Sequence, residues 1–147
     1  MDTCSALTPL IEWTTDEQKD TVPMARVLII DDDAPTRRML RQALERAGYA
    51  VVEAQEGQEG LQHCQAAHFD VVITDILMPD KEGLETIRDL RRGFPDVKII
   101  AMSGGGYLGT LNFLDVAARF GAQSTLQKPF SLRKILETIH TLLAEKT

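Results

Sequence analysis

The feature that most constrains the fold is an alternation, from residue 25 onward, of short apolar runs with longer stretches of helical period. Five runs are rich in apolar residues and short enough for strands, at residues 26–30, 50–54, 71–74, 98–102 and 124–127. Because most of these runs are nearly continuous in apolar residues, they predict strands that are buried on both faces. The sequence therefore predicts an α/β domain with a doubly wound, five-stranded parallel sheet and five covering helices.

Helical stripes of apolar residues lie between and after these runs. The first predicted helix covers residues 35–47 and ends at Gly48, and the fourth ends at Gly121. The fifth begins after Ser131, a residue type that caps helix N-termini. The five stripes consist of Met39, Leu40, Ala43, Leu44 and Ala47; Leu61 and Cys64; Leu84, Ile87 and Leu90; Leu108, Leu111, Leu114 and Ala118; and Leu132, Ile135, Leu136, Ile139 and Leu143.

Residues 1–23 differ from the rest of the chain. They mix polar residues with Pro and Thr and show no sustained helix or strand period before Pro23. We therefore expect a flexible N-terminal extension over residues 1–23 and one folded domain over residues 24–147, a size that suits a single core. Met24 opens the first apolar segment, so a translation start at this residue is a further hypothesis.

Charge and cysteine usage argue against several classes of function. The formal net charge of -6 gives no electrostatic footprint for direct binding of nucleic acid or of an anionic membrane. Cys4 and Cys64 form no CxxC pair, which fits a reducing compartment and predicts a cytoplasmic location. No apolar run approaches the ~20 residues that a membrane-spanning helix needs. His63, His68 and His140 lack metal-ligand spacing, and we interpret them as surface residues.

Polar residues follow four of the predicted strands. The first is followed by Asp31, Asp32 and Asp33, and further strand ends carry Asp75, Ser103, and Lys128 with Pro129. In a parallel sheet these ends meet at one crevice. Carboxylates crowded there repel one another, so a cation is required, and an oxygen-only ligand set favours Mg²⁺. A carboxylate nucleophile, a divalent cation, a hydroxyl and an ammonium are the groups that formation of an aspartyl phosphate needs.

The motifs "IIDDD", "VVITDILMPDKEGLE", "IIAMSG" and "LQKPF", in this order and spacing, resemble the receiver domain of two-component response regulators. The resemblance covers roughly residues 25–145. It implies a flavodoxin-like fold of the receiver type. It also implies that Asp75 accepts a phosphoryl group from a phosphohistidine on a sensor histidine kinase or a histidine phosphotransfer protein.

The resemblance assigns further roles residue by residue. Asp31 and Asp32, with Asp75 and the backbone carbonyl of Leu77, would hold Mg²⁺. Ser103 would bond the phosphoryl group and move toward it, while Lys128 would pair with it and precede a cis bond to Pro129. Two positions depart from the family pattern. Thr125 stands where an aromatic switch residue is common, so that switch is in question, and neither Leu77 nor Gly105 can position an attacking water with its side chain.

Simpler interpretations and other families compete with this one. Asp33 lies where the first helix begins, and we interpret it as a helix cap. A phosphatase of the haloacid-dehalogenase type also uses an aspartate after a first strand, but its DxDx[TV] pattern needs Thr or Val where this chain has Pro35. A pseudo-receiver that acts only as a docking module predicts lost acidic or lysine positions, and here these positions are all filled. Both alternatives therefore rank below a phosphorylated receiver domain.

The end of the chain bears on the partners. The fifth helix continues to near Leu143 and only four residues follow it, so we expect no output domain. The signal would pass to a downstream effector protein, or along a phosphorelay, through a shift of the fourth helix, fifth strand and fifth helix. Pairing of two copies as a homodimer through this face stays open. We thus predict a signalling phosphoacceptor rather than an enzyme.

Overall fold

A computed structural model describes residues 25–76, 83–103 and 117–144 of the chain. It contains five strands, and it contains four helices with defined bounds plus a helical stretch at residues 117–120, labelled α4. In chain order the elements are β1 (Arg26–Ile30), α1 (Ala34–Arg46), β2 (Ala50–Ala54), α2 (Gly57–Ala66), β3 (Val71–Asp75), α3 (Gly83–Gly93), β4 (Lys98–Ser103), α4, β5 (Ser124–Gln127) and α5 (Leu132–Ala144). The predicted strands are confirmed, and β3 and β4 each extend one residue further, so that they include Asp75 and Ser103.

The strands form one sheet in the order β2-β1-β3-β4-β5, and each neighbouring pair is parallel. This confirms the predicted doubly wound α/β fold. β1 and β3 are adjacent near the centre of the sheet, with Ile30 opposite Thr74. At the same edge Asp75 is opposite Met102, and Ser103 is opposite Gln127. The carboxyl ends of four strands therefore meet at one crevice.

Two hydrophobic clusters cover the two faces of the sheet. On one face Val27 and Ile29 of β1 pack with residues of α1 and α5, and on the other Leu28 and Ile30 pack with residues of α2, α3 and α4. This alternation is the two-residue period of a strand with both faces buried. Each fully buried Leu or Ile contributes roughly 1.5–3 kcal/mol to the stability of the fold, so the two clusters stabilise the sheet whose edge carries the crevice.

The helical stripes were only partly correct. Leu40 and Leu44 of α1 are fully buried, whereas Met39 is 43% exposed. In α4 the buried residue is Ala117, and the predicted Ala118 is exposed. In α5 the predicted Ile135 and Ile139 are fully buried and Leu143 packs half-buried against the same cluster, but Leu142, which was not predicted, is also buried and Leu132 at the first turn is 38% exposed. The reason is that the packing angle of each helix decides which residues face the sheet, so the buried face does not coincide with the predicted stripe and includes Ala117 and Leu142.

Helix ends follow the local signals of the sequence. Asp33 caps α1, which begins at residue 34, one residue earlier than predicted. Ser131 Oγ accepts a hydrogen bond from the Lys134 N–H at 3.0 Å at the start of α5. Gly48 and Gly121 have φ values of 100° and 129°, a backbone region that favours glycine and ends the helices before them.

Several predictions concern residues outside the described part of the chain. These include the extension over residues 1–23, the proposed start at Met24, the roles of Leu77 and Gly105, and the Leu108, Leu111 and Leu114 positions of the predicted fourth helix. Within residues 25–76, 83–103 and 117–144, no helix is long and apolar enough to cross a membrane.

Candidate functional site

The sheet edge brings three carboxylates together. The Asp31 N–H donates to the Ala54 carbonyl at 3.1 Å, which extends the β1–β2 ladder by one residue, and the Ile76 N–H donates to Met102 at 2.9 Å directly after Asp75. These backbone bonds fix the positions from which the side chains extend. One carboxylate oxygen from each of Asp31, Asp32 and Asp75 lies within 4.8 Å of the other two. The predicted cluster of acids is therefore present in the fold.

The three carboxylates differ in their exposure to solvent. Asp31 is fully buried and Asp75 is 7% exposed, whereas Asp32 lies exposed at the rim. A buried carboxylate keeps its charge only if it is paired or bound to a metal, because it has lost the solvation that water provides. Two acids thus form the floor of the crevice, and the third faces solvent above them.

Lys128 supplies a positive charge to the floor of the crevice. Its Nζ lies 2.9 Å from Asp31 Oδ2 and 3.5 Å from Asp75 Oδ2. Burial opposes the charge of this ammonium, but the hydrogen bond to Asp31 and the two carboxylates outweigh burial and raise the pKa of Lys128 above its ordinary value. The Lys128–Pro129 bond is cis, as the resemblance implied. The cluster of three carboxylates thus contains one ammonium, which contacts two of them, and its ligand atoms are close enough together to hold a metal ion.

Ser103 lies at the end of β4 beside the lysine. Its carbonyl accepts a hydrogen bond from the Lys128 N–H at 2.7 Å. Its side chain is fully buried, and among the described residues its Oγ has no hydrogen-bond partner. Leaving a buried hydroxyl unpaired costs roughly 1–3 kcal/mol. Such a hydroxyl is available to donate to an anionic oxygen that enters the crevice.

Asp33 belongs to the helix cap, as predicted, and not to the cluster of acids. One oxygen of its carboxylate accepts hydrogen bonds from the Thr36 N–H, at 3.1 Å, and from the Thr36 hydroxyl. These bonds lower the pKa of Asp33 below its ordinary value. Its own N–H donates to Asp31 Oδ1 at 2.9 Å, so the cap also holds the buried carboxylate in place.

The donor set fits a hard divalent cation. Carboxylate oxygens are the ligands that Mg²⁺ prefers, and it usually retains several waters and takes only one or two protein carboxylates. Asp31, Asp32 and Asp75 supply such oxygens at a partly exposed site. Two histidines have carboxylate neighbours away from this cluster, His63 near Glu59 and His68 near Asp70, which agrees with their interpretation as surface residues.

Two features of the site were missed or remain untested. Arg37 contacts the turn after β1, a contact that was not predicted. A basic residue in the first turn of a helix is unfavourable for the helix dipole, so its presence in the sequence could have indicated a specific partner. Thr125 lies half-buried on β5, opposite Ala101. Its role as a switch stays a prediction.

Comparisons relate this arrangement to known proteins. The sequence model of a family described as "Response regulator receiver domain" matches residues 27–140. Response regulator receiver protein CpdR of Brucella abortus is 36% identical over 120 residues, which cover 82% of this chain and 98% of that protein. Sensor kinase CckA of the same organism is 32% identical over 137 residues, which cover 92% of this chain and 14% of that protein.

The fold is similar to that of solved structures as well. A CheY-like response regulator receiver domain protein from Methanospirillum hungatei JF-1 matches with a TM-score of 0.77 and 32% identity, and the match covers 84% of this chain and 96% of that one. This chain spans 50% to 52% of the length of three further curated relatives.

Proposed function

The chain belongs to the response regulator receiver domain family of two-component signalling, and from this premise we propose that Asp75 accepts a phosphoryl group from a phosphohistidine. The donor would be a sensor histidine kinase or a histidine phosphotransfer protein. The observation that carries the proposal is the convergence of the Asp31, Asp32 and Asp75 carboxylates beside Lys128 at one sheet edge. Such a set serves phosphoryl transfer to a carboxylate.

In the proposed reaction an oxygen of the Asp75 carboxylate forms a bond to phosphorus. The bond between phosphorus and the histidine nitrogen of the donor breaks, and its electron pair stays on that nitrogen, which then takes up a proton. Asp75 is suited to this role because it lies at the end of a central strand with 7% of its surface exposed. It is open to a phosphoryl donor and otherwise shielded from water.

Mg²⁺ would be held by Asp31, Asp32 and Asp75, with the Leu77 carbonyl as a further proposed ligand. When bound, it supplies positive charge that neutralises the phosphoryl oxygens. Both acids next to the acceptor therefore serve to hold the cation and do not react themselves. Because the bound cation would neutralise the charge of the incoming phosphoryl oxygens, we propose that phosphorylation of Asp75 depends on Mg²⁺.

Lys128 and Ser103 would act on the product. The Lys128 ammonium, already 3.5 Å from the acceptor carboxylate, would pair with an oxygen of the phosphoryl group. Ser103 would donate its hydrogen bond to another, since its Oγ has no partner among the described residues. Movement of Ser103 toward the phosphoryl group would pull on the end of β4 and on the neighbouring β5, which carries Thr125.

We propose that this movement changes the face formed by the fourth helix, β5 and α5, so that a downstream effector protein or a second copy of the chain binds it differently. A cytoplasmic location and a domain over residues 24–147 belong to the same proposal. The small side chain of Thr125 supports a switch that depends on Ser103 rather than on an aromatic residue.

The test is phosphorylation by acetyl phosphate in the presence of Mg²⁺, with intact-mass spectrometry as the readout. We expect one phosphoryl adduct on the wild type, and none on Asp75→Asn or on wild type treated with EDTA. Asp33→Asn is the matched control, because it removes a neighbouring carboxylate that caps a helix instead of facing the cluster, and it should be labelled like the wild type.

Two results would contradict the proposal in different ways. Equal labelling of wild type and Asp75→Asn would place the phosphoryl group on another residue. A wild type that takes no label, with the cluster of acids intact, would favour a pseudo-receiver that acts as a docking module.

A further inference from the structure

Arg37 links the first turn of α1 to the turn that follows β1. Its Nη1 donates to the Asp31 carbonyl oxygen at 2.7 Å, and its Nε lies 3.0 Å from Glu53 Oε1 on β2. Only 11% of the Arg37 side chain is exposed. The guanidinium is thus held between two neighbouring strands, directly beside the cluster of acids but outside it.

The position of this arginine is unfavourable for the helix alone. The N-terminal end of a helix carries partial positive charge, and a cation there costs roughly 0.3–1 kcal/mol. Helix α1 has no acidic residue in its first turn, and at this end of the helix the carboxylate of the N-cap, Asp33, offsets only part of this cost. A cation at such a place is stabilised by specific acceptors, and here these are the Asp31 carbonyl and the Glu53 carboxylate.

Each backbone and side-chain polar group of Asp31 is hydrogen-bonded. Its N–H donates to Ala54, Oδ1 accepts from Asp33, Oδ2 accepts from Lys128, and the carbonyl accepts from Arg37. That carbonyl belongs to the peptide unit that also contains the Asp32 N–H. Since a peptide unit is planar, a bond to the carbonyl fixes the plane from which Asp32 extends.

Asp32 depends on this backbone restraint more than its neighbours do. Its carboxylate is exposed, and among the described residues no hydrogen bond holds it. We propose that Arg37, itself oriented by Glu53, is a positioning residue that aims the Asp32 carboxylate at the proposed cation. This inference rests on the proposed function, because it concerns the affinity of the same site for Mg²⁺.

The chain contains a control of equal charge in Arg41, one turn further along α1. Arg41 Nη1 lies 3.1 Å from Glu53 Oε2 and its Nε lies 3.0 Å from Glu45 Oε2. It therefore shares Glu53 with Arg37 but forms no hydrogen bond with Asp31. Its side chain is 43% exposed. Replacing either arginine by glutamine removes one positive charge, and only the replacement of Arg37 frees the Asp31 carbonyl.

The direction of the effect separates positioning from simple electrostatics. Removal of a positive charge near a cation site should strengthen Mg²⁺ binding by Coulomb's law. Loss of a residue that orients a ligand should instead weaken it, typically by about 10–100-fold. We expect Arg37→Gln to raise the Kd for Mg²⁺ by about tenfold, and Arg41→Gln to leave it unchanged or to lower it slightly.

The experiment measures the Kd for Mg²⁺ by isothermal titration calorimetry at constant ionic strength, with the melting temperature of the metal-free protein recorded for each variant. Arg37→Lys adds a charge-conserving variant. A lysine has no planar fork and cannot bind both acceptors as arginine does, so its Kd should lie between those of wild type and Arg37→Gln. Glu53→Gln should weaken binding less than Arg37→Gln, because it leaves the bond to Asp31.

A Kd for Arg37→Gln that equals or falls below the wild-type value would overturn the positioning role. So would a weakening of the same size in Arg41→Gln, since that would trace the effect to Glu53 and helix stability. If the wild type itself binds no Mg²⁺, the proposed function fails and the positioning role fails with it. If the wild type binds and only the Arg37 comparison fails, the proposed function stands.

Discussion

Removal of one charge from the crowded crevice should stabilise the metal-free protein. Asp32 has a carboxylate oxygen within 4.8 Å of oxygens of both Asp31 and Asp75, while the Lys128 ammonium is hydrogen-bonded to those two acids. Asp32→Asn retains the shape of the side chain and removes its charge. We expect this variant to melt at a higher temperature than the wild type in the absence of divalent cations.

The magnitude follows from the distances. At the upper limit of these separations, 4.8 Å, two unit charges repel by about 0.9 kcal/mol in bulk water and by about 3.5 kcal/mol at an effective dielectric constant of 20. Because Asp32 is exposed, its interactions lie near the lower figure, and attraction to Lys128 offsets part of the repulsion from the two acids. A net gain of about 1 kcal/mol remains, which corresponds to about 3–4 °C in melting temperature for a domain of this size.

The assay is differential scanning calorimetry in EDTA and again in Mg²⁺. Asp33→Asn is the matched control, since it makes the same change in net charge one residue away and retains a side chain that caps helices equally well. It should not raise the melting temperature. Mg²⁺ at about 100 times its Kd should stabilise the wild type by about 2.7 kcal/mol, and should stabilise Asp32→Asn less because a ligand is lost.

Two results would refute this reasoning. An unchanged or lower melting temperature of metal-free Asp32→Asn would mean that Lys128 already neutralises the crevice. An equal rise in Asp33→Asn would mean that any reduction of the net charge of -6 stabilises the chain, whatever its position.

Three further predictions concern packing, thiol chemistry and pH. A Cβ on Gly83 would lie 2.2 Å from Ile76 Cα, so Gly83→Ala should lower the free energy of unfolding, measured by urea denaturation, by about 2–3 kcal/mol. Gly93 has open space around it, so Gly93→Ala should not lower it. Equal losses in the two variants would contradict this. Burial raises the pKa of the Cys64 thiol to about 11, so this residue should resist alkylation in the native protein and react once urea unfolds the chain. Peptide mass spectrometry measures the labelling, and rapid labelling of native Cys64 would contradict this prediction. Burial opposes the charge of Glu53, but hydrogen bonds from Arg41 and Arg37 outweigh this and hold its pKa below the ordinary 4.5. Its contribution to stability is therefore present above about pH 4.5 and is lost as pH falls through the folded-state pKa. Glu53→Gln should accordingly reduce the slope of the free energy of unfolding against pH on the acid side. An unchanged slope would argue against the ion pair.

Much of the fold follows from local patterns in the sequence. The strand at residues 26–30 and the cap at Asp33 were predicted with the correct position because apolar runs, helix caps and glycines act within a few residues. The strand ends that carry Asp75 and Ser103 were predicted one residue short. A polar residue at the end of a buried strand is indistinguishable, in sequence, from the first residue of a loop.

Side-chain burial in the helices could not be predicted to the residue. Ala117 is buried where Ala118 was expected, and Leu142 where Leu143 was expected. A helical stripe gives the direction of the apolar face, but the angle at which the helix crosses the sheet decides which residue of a neighbouring pair is covered.

By itself the sequence determined which groups would stand at the strand ends, because each of them directly follows a local apolar run. Only the tertiary structure decided which of them meet. The strand order places β1 beside β3, so Asp31 and Asp75 share one ammonium from Lys128, which lies 97 and 53 residues away along the chain. The bond from Arg37 to Glu53, 16 residues further along the chain, is likewise a product of folding, because it depends on how α1 packs against β2. The local sequence determines where strands and helices begin and end, whereas contacts between distant residues are determined by the packing of the helices on the sheet.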